Sequence, residues 1–326
     1  MLYLDDLYYT PPAERNFGVA FHPSPLHANL ALAVAAPHIL AAAKGIDVVL
    51  WPALFKVWPS YHWGVQQTGD CVSWGTAHLG DVNMAIAFLA GLIRKPDAMV
   101  ATEPIYGFGK AELANSYRYN GAGMAGQDAV EAVTKYGSLY RRKYEADGNT
   151  IDLSAYDGGK ARAWGERPGA THGVPDWLEP IAAEHKASKP VNVDTVETGA
   201  ALLEAGYAWQ YCGHTYWPTA RTPEGFGAKF TSGAHCMTCV GVKYESGRPA
   251  WWRIANTGHG DHVSGPPEVP ACGVRPPDVY QECGGWVPTH LVEPVLRAGD
   301  CYALTAVEGW PILDLTTFGF DSSILG

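Results

Sequence analysis

Cys71 closes the run Gln66-Gln67-Thr68-Gly69-Asp70-Cys71 and opens an apolar stretch that can be one long helix. A glycine-containing turn followed by a helix puts the thiol at a helix N-terminus. Unpaired backbone N–H groups and the helix dipole there favour thiolate over thiol. A thiolate with amide donors beside it is equipped for acyl transfer, provided a base and a group to orient that base stand nearby. His235 is the candidate base. It follows the small-residue turn Thr231-Ser232-Gly233-Ala234 and opens the run Cys236-Met237-Thr238-Cys239-Val240, and a rigid strand start is a good mount for an imidazole. The next strand candidate, Trp251-Trp252-Arg253-Ile254-Ala255, ends at Asn256. If the two strands form an antiparallel hairpin, His235 and Asn256 become neighbours. The Asn256 amide oxygen then accepts the imidazole N–H, fixes the tautomer and aims the other ring nitrogen at Cys71.

Each residue also has a plainer reading. A cysteine is often a small buried hydrophobe, a histidine a satisfied core residue, and Asn256-Thr257-Gly258 good turn chemistry. Their joint occurrence favours the catalytic reading. Cys236 and Cys239 with His235 have a zinc-like look, but on a strand 236 and 239 point to opposite faces, which argues against shared ligation. His259 and His262 read as a polar loop rather than a metal site, and Tyr106 and Trp286 as core or rim aromatics.

The elements that must position these residues are legible in outline. Residues 1–50 read as an N-terminal extension, with Pro-rich turns ahead of an Ala/Leu-rich helical run over 27–44 and a β-branched stretch over 46–50. Residues 51–150 form a helical half carrying Cys71, with an aromatic, extended lead-in over 51–65 and helices over 71–92 and 127–136. Residues 151–190 form a loop-heavy connecting insertion. Residues 191–326 form a β half carrying His235 and Asn256, with a C-terminal tail. It has a helix over 197–203 and strands over 207–216, 235–244, 249–255 and 301–308. Helices first and strands later predict an α+β fold with two segregated halves.

Bulk properties narrow the function. The chain has 326 residues, 47% of them hydrophobic and 17% charged, which suits a globular protein with a sizeable core. A formal net charge of −10 argues against nucleic-acid binding. Residues 140–144 carry a local basic run that reads as a solvated helix end. No apolar stretch has the length of a membrane span. The acidic start Met1-Leu2-Tyr3-Leu4-Asp5-Asp6 does not look like a signal peptide. The expected location is cytoplasmic or virion-associated. Seven cysteines leave at least one free thiol, and Cys272 with Cys283 could pair only if the protein were exported.

Taken together, Cys71 at a helix start, the segment 232–242 and the segment 252–258 resemble the papain-like cysteine peptidases, in the order Cys, His, Asn. The segment 121–137, glycine-bearing and ending in Tyr136-Gly137, resembles the family's cleft wall and the helix after it. The resemblance covers about 51–310 and looks closest to divergent bacterial and phage members. It implies a two-lobed fold and peptide hydrolysis through an acyl-enzyme, with no metal or organic cofactor. It also implies a side-chain oxyanion donor, Gln66 or Gln67, and substrate contacts at Gly123, Met124 and Ala234. The partner is a peptide or protein substrate, with structural protein partners conceivable through residues 1–50 or the tail, and residues 1–50 could also cover the cleft. Departures are plain. Thr68 and Val72 replace a Cys and an aromatic of the family signature, and Gly258 stands where the family has a Trp shielding the His–Asn bond. Cys71 and His235 are separated by 235 − 71 = 164 positions, against roughly 130–150 in the family. The rival reading is a papain-like scaffold serving as a structural or binding component, conceivably of a phage particle, with activity lost or repurposed. A further one is another acyl-transfer activity such as an amidase.

Overall fold

Gly69 and Asp70 end an irregular lead-in, and from Cys71 the chain turns into a helix that organises everything else. The computed structural model describes residues 37–113, 121–166, 172–187, 190–222, 226–257 and 284–305. Most of the N-terminal extension, Cys272, Cys283, His259, His262, Gly258 and the C-terminal tail lie outside these residues. In chain order the main elements are α1 (Pro37–Ala42), β1 (Val48–Val49), α2 (Pro52–Val57), α3 (Cys71–Leu89), α4 (Thr102–Gly107), α5 (Gly126–Lys135), β2 (Lys143–Ala146), β3 (Asn149–Asp152), α6 (Gly158–Gly165), α7 (Glu179–Ala182), β4 (Pro190–Asn192), α8 (Val196–Glu204), β5 (Trp209–Arg221), β6 (Gly227–Glu245), β7 (Arg248–Ala255), β8 (Gly285–Pro288), α9 (Thr289–Ala298) and β9 (Tyr302–Leu304).

The fold is α+β, with helices and an antiparallel β half. Seven strands form one sheet in the order β4-β9-β5-β6-β7-β8, with β1 paired to β6 at Val242 and Gly241. Its ladders are antiparallel. A parallel bridge between Phe226 and Trp286 brings β8 back to the start of β6, so the sheet curls. Helix α3 is buried on nearly all sides between α2 and α4 and the strands β5 and β6. That is why it carries apolar and small residues on every side, with polar side chains such as Asn83 and Asp81 buried and hydrogen-bonded. Asn83 ties it to the sheet, donating to the Leu304 oxygen (2.8 Å) and accepting from the Ala208 N–H (3.1 Å). A second tie joins the halves at the start of α5. The N–H groups of Gly126 and Gln127 donate to the Asp300 carboxylate at 2.8 and 3.0 Å, capping the helix from across the interface.

The structure differs from the sequence reading in several places. His235 does not open a strand: β6 starts at Gly227, and residues 231–234 are strand paired to β5 rather than a turn, because β5 itself runs on to Arg221 and gives them partners. The lead-in over 51–65 contains a helix, α2, started by Pro52, whose missing N–H is no loss at a first helical position. α3 ends at Leu89 rather than 92, where Gly91 turns left-handed (φ +73°). The basic run over 140–144 is not a helix end but leads into the β2–β3 hairpin, paired from Lys143–Asp152 to Ala146–Asn149. The described part of the connecting insertion carries helices and packs onto the helical half. Tyr144 of the β2–β3 hairpin, Trp164 of α6, Ala182 of α7 and the neighbouring Leu153, Val174 and Leu178 join Ala101, Phe108, Ala132 and Leu139 in a second apolar cluster.

The described part of the N-terminal extension, from 37, lies on the β half. Lys44 and Gly45 donate backbone N–H groups to Glu204 of α8, and the Tyr244 hydroxyl donates to the same carboxylate (2.7 Å). β1 joins β6 at Val242 and Gly241, six or seven residues along the strand from His235. Among the described residues no helix is long and apolar enough to cross a membrane.

Candidate active site

Cys71 is the first residue of α3 and only 1% exposed. Asp70 occupies the cap position, where its backbone oxygen accepts from the N–H groups of Ser73 (2.9 Å) and Trp74 (3.2 Å), while its side chain makes no cap bond. The first turn of α3 rests directly on β6. A Cβ on Gly75 would stand 2.8 Å from Cys236 Sγ and 3.0 Å from the Met237 oxygen, and Thr238 Oγ1 donates to the Gly75 oxygen at 3.1 Å. Only glycine permits this approach. Cys236 lies near enough to Cys71 to influence the charge on its sulfur. His235 is thus one residue from the strand position that meets the first turn of α3.

The hairpin of β6 and β7 pairs Thr238 with Ala255, so the residues just outside that pair converge. His235 Nε2 and Asn256 Oδ1 are 2.7 Å apart. An amide oxygen only accepts, so the proton is on Nε2 and Nδ1 is left as the acceptor nitrogen. Trp217 of β5 was missed in the sequence. Its ring centroid lies 5.3 Å from that of His235 at 62°. Register explains the contact. Gly233 and His235 pair with Thr215 and Gly213 on β5, so the path along the face from Trp217 to His235 crosses Gly233, whose would-be Cβ is 3.5 Å from the indole. An aromatic two positions past a paired glycine is a usable signal only once the register is known, and the sequence ended that strand at 216.

The two glutamines part company. Gln66 is 5% exposed, donates Nε2 to the Thr68 oxygen, and its Oε1 lies 3.4 Å from the hydroxyl of Thr257, the neighbour of Asn256. Gln67 is exposed and turns to the insertion, where its Oε1 accepts from the Gly158 N–H (3.3 Å) and its backbone oxygen from Arg162 (3.2 Å). The proposed cleft wall also differs from expectation. Met124 is wholly enclosed, with its sulfur 2.7 Å from a would-be Cβ on Gly109. Gly123 is buried and its N–H donates to the Tyr106 hydroxyl at 3.0 Å. The surface of this segment is instead Gly121, exposed, and Ala122, half-buried. Ala122 also packs on the turn ahead of Cys71, since a Cβ on Gly69 would stand 2.5 Å from the Ala122 Cβ. Ala234, just before His235, is half-buried.

Electrostatics in this enclosed state oppose an ion pair. Burial pushes the Cys71 thiol well up, with the charges of Cys236 and Asp70 adding to the rise. Burial lowers the His235 imidazole, against the opposing bond from Asn256. Desolvation thus works against the charged form of each group, in opposition to the helix dipole. The five described cysteines, 71, 212, 236, 239 and 301, are all free thiols.

Comparison with known proteins bears on the fold. No protein-family model matches the sequence, and no curated protein matches it. Xylellain, a cysteine protease from Xylella fastidiosa, superposes with a TM-score of 0.52 at 16% identity, over 82% of this chain and 88% of that one. Digestive procathepsin L2 of Tenebrio molitor larval midgut matches at 14% identity and a TM-score of 0.43, over 88% of this chain and 82% of that one. Helix-borne Cys71, the antiparallel β half and the superposition on xylellain agree, and the chain has the fold of the papain-like cysteine peptidases.

Proposed function

We infer that this chain is a cysteine peptidase in which Cys71 is the nucleophile, His235 the general base and Asn256 its orienter. The observation that carries the reading is the 2.7 Å bond from His235 Nε2 to Asn256 on a strand whose next residue, Cys236, packs against the first turn of the helix that Cys71 opens. His235 Nδ1 takes the thiol proton as the sulfur attacks the peptide carbonyl. The Cys71 N–H and the Gln66 amide hold the developing oxyanion. The imidazolium then protonates the leaving amine, and a water activated by His235 releases the acyl group. Xylellain is a cysteine protease, which fits this chemistry. A substrate strand meets Gly121 and Ala122 on one wall and Ala234 on the other.

The test is turnover of an unfolded protein substrate read by mass spectrometry, with Cys71→Ala and His235→Ala as comparisons. The wild type should cleave, and each variant should fall by about 10^4-fold or more with an unchanged circular dichroism spectrum. Cleavage retained by Cys71→Ala, or none by the wild type above that variant, would overturn the reading in favour of a scaffold.

A further inference from the structure

Resting on that reading, we propose that Tyr156, carried by the insertion between β3 and α6, is a positioning residue that fixes the turn from Gln66 to Cys71 by bonding to it at two points. Its hydroxyl donates to Asp70 Oδ2 at 2.9 Å and accepts from the Gln67 N–H at 3.3 Å. These are the residues flanking the turn on either side, one just after Gln66 and one just before Cys71. One oxygen therefore closes the turn into a ring. The ring of Tyr156 is itself immobilised. It packs edge-on against Trp74, one helical turn past Asp70, with centroids 4.8 Å apart, and the Arg141 guanidinium lies 5.8 Å over it. Arg141 is anchored by the buried Glu103 at 2.6 Å, and Glu103 in turn accepts the Asp157 N–H at 2.9 Å. The next residue along from Tyr156 is thereby tied to α4.

Asp70 needs this partner. It is 0% exposed, and its Oδ1 has no hydrogen-bond partner among the described residues. A buried carboxyl with half its bonding capacity unmet depends on the one strong donor it has. The insertion supports the same turn a second time. Glu166, at the end of α6, accepts from Thr68 Oγ1 (2.8 Å) and from the Tyr106 hydroxyl (2.8 Å), and Tyr106 accepts the Gly123 N–H. The added chain length between Cys71 and His235 is therefore a brace for the nucleophile turn rather than an inert connection.

Asp70 reports on the brace. Its ionisable neighbours are Tyr156 from the insertion, Glu103 of α4, Glu166 past α6 and Cys71 of its own helix. Burial moves its carboxyl up to about 8, with the Tyr156 bond pulling it down. Above that pH a new negative charge beside Cys71 holds the thiol protonated, so Cys71 alkylation should rise less steeply there.

The experiment is iodoacetamide labelling of Cys71 from pH 6 to 10, located by mass spectrometry, in the full-length protein and in Tyr156→Phe, with Asp70→Asn as the reference. Tyr156→Phe keeps the ring and its packing and removes only the hydroxyl. The alkaline flattening should move up by about one to two pH units in Tyr156→Phe and disappear in Asp70→Asn. Peptide turnover by Tyr156→Phe should show kcat lowered on the order of 10-fold or more, with KM little changed. A labelling profile and kcat that superimpose on the wild type would overturn the proposal while leaving the peptidase reading intact. A wild type that cleaves nothing would sink that reading, and the labelling shift alone would then decide the brace. If Tyr156→Phe does not fold, Thr68→Val tests the Glu166 side of the same turn by kcat at constant KM, and an unchanged kcat there overturns it.

Discussion

Replacing Gly75 by alanine attacks the seam between the two halves at its tightest point. The new Cβ would meet the Met237 oxygen at 3.0 Å and Cys236 Sγ at 2.8 Å, where relaxed contacts to carbon need about 3.5–4.0 Å. The thiol can rotate, but the backbone oxygen belongs to β6 and cannot. α3 must therefore back away by about 0.5 Å or more, carrying Cys71, one turn upstream, with it. Overpacking of this kind costs about 1–3 kcal/mol, against a helix-propensity gain of about 1 kcal/mol for Gly to Ala. The net change in stability is between about zero and 2 kcal/mol of loss. Gly80, five residues on in the same helix, is the internal control, because its would-be Cβ has only Val100 Cγ2 at 3.4 Å. Gly80→Ala should gain most of the propensity term, raising Tm by roughly 2–4 °C. Thermal melts of the two variants should thus move apart. Turnover and Cys71 labelling should fall roughly tenfold in Gly75→Ala alone, by the steep dependence of attack on reactant placement. Equal gains in Tm for both variants, with unchanged labelling, would refute the reasoning.

Three further outcomes are expected. Gln66→Ala should cost about 2.7–4 kcal/mol of transition-state stabilisation and Gln67→Ala far less, because Gln66 lies beside Thr257 and Gln67 faces the insertion. Comparing kcat/KM for the two decides it, and the reverse ranking would move the oxyanion donor to Gln67. Asp300→Ala should lower stability by about 1–2 kcal/mol by uncapping α5, read as a lower denaturant midpoint, and an unchanged midpoint would mean the cap across the halves is idle. Stability should also fall as pH rises from 6.5 to 8. Asp70, up at about 8 when folded, then holds a proton that the unfolded chain has released, so folding takes up a proton in that window. Asp81, up at about 7, adds to its lower part. Below 6.5 the trend is opposed by His78, which burial lowers to about 3. Asp70→Asn should remove about 2 kcal/mol of that decline, and an undiminished slope of Tm with pH in the variant would contradict it.

The sequence by itself determined the elements whose signals are local. A glycine turn before a long small-faced run placed Cys71 on the first turn of a helix, and two strand-like runs joined by a short turn brought His235 beside Asn256 as a hairpin, although His235 lies within its strand rather than at its start. The α+β division followed for the same reason. Tertiary structure alone decided what depends on residues distant in the chain. It turned Gln66 inward and Gln67 outward, enclosed Met124 and the Gly123 N–H, laid Trp217 across His235 through a path cleared by Gly233, and brought Tyr156 and Glu166 onto the turn ahead of Cys71. It also decided how deeply the sulfur is buried. A helix dipole can be read from the order of residues, whereas the desolvation that raises the thiol arises only when strand β6 packs against the first turn of α3.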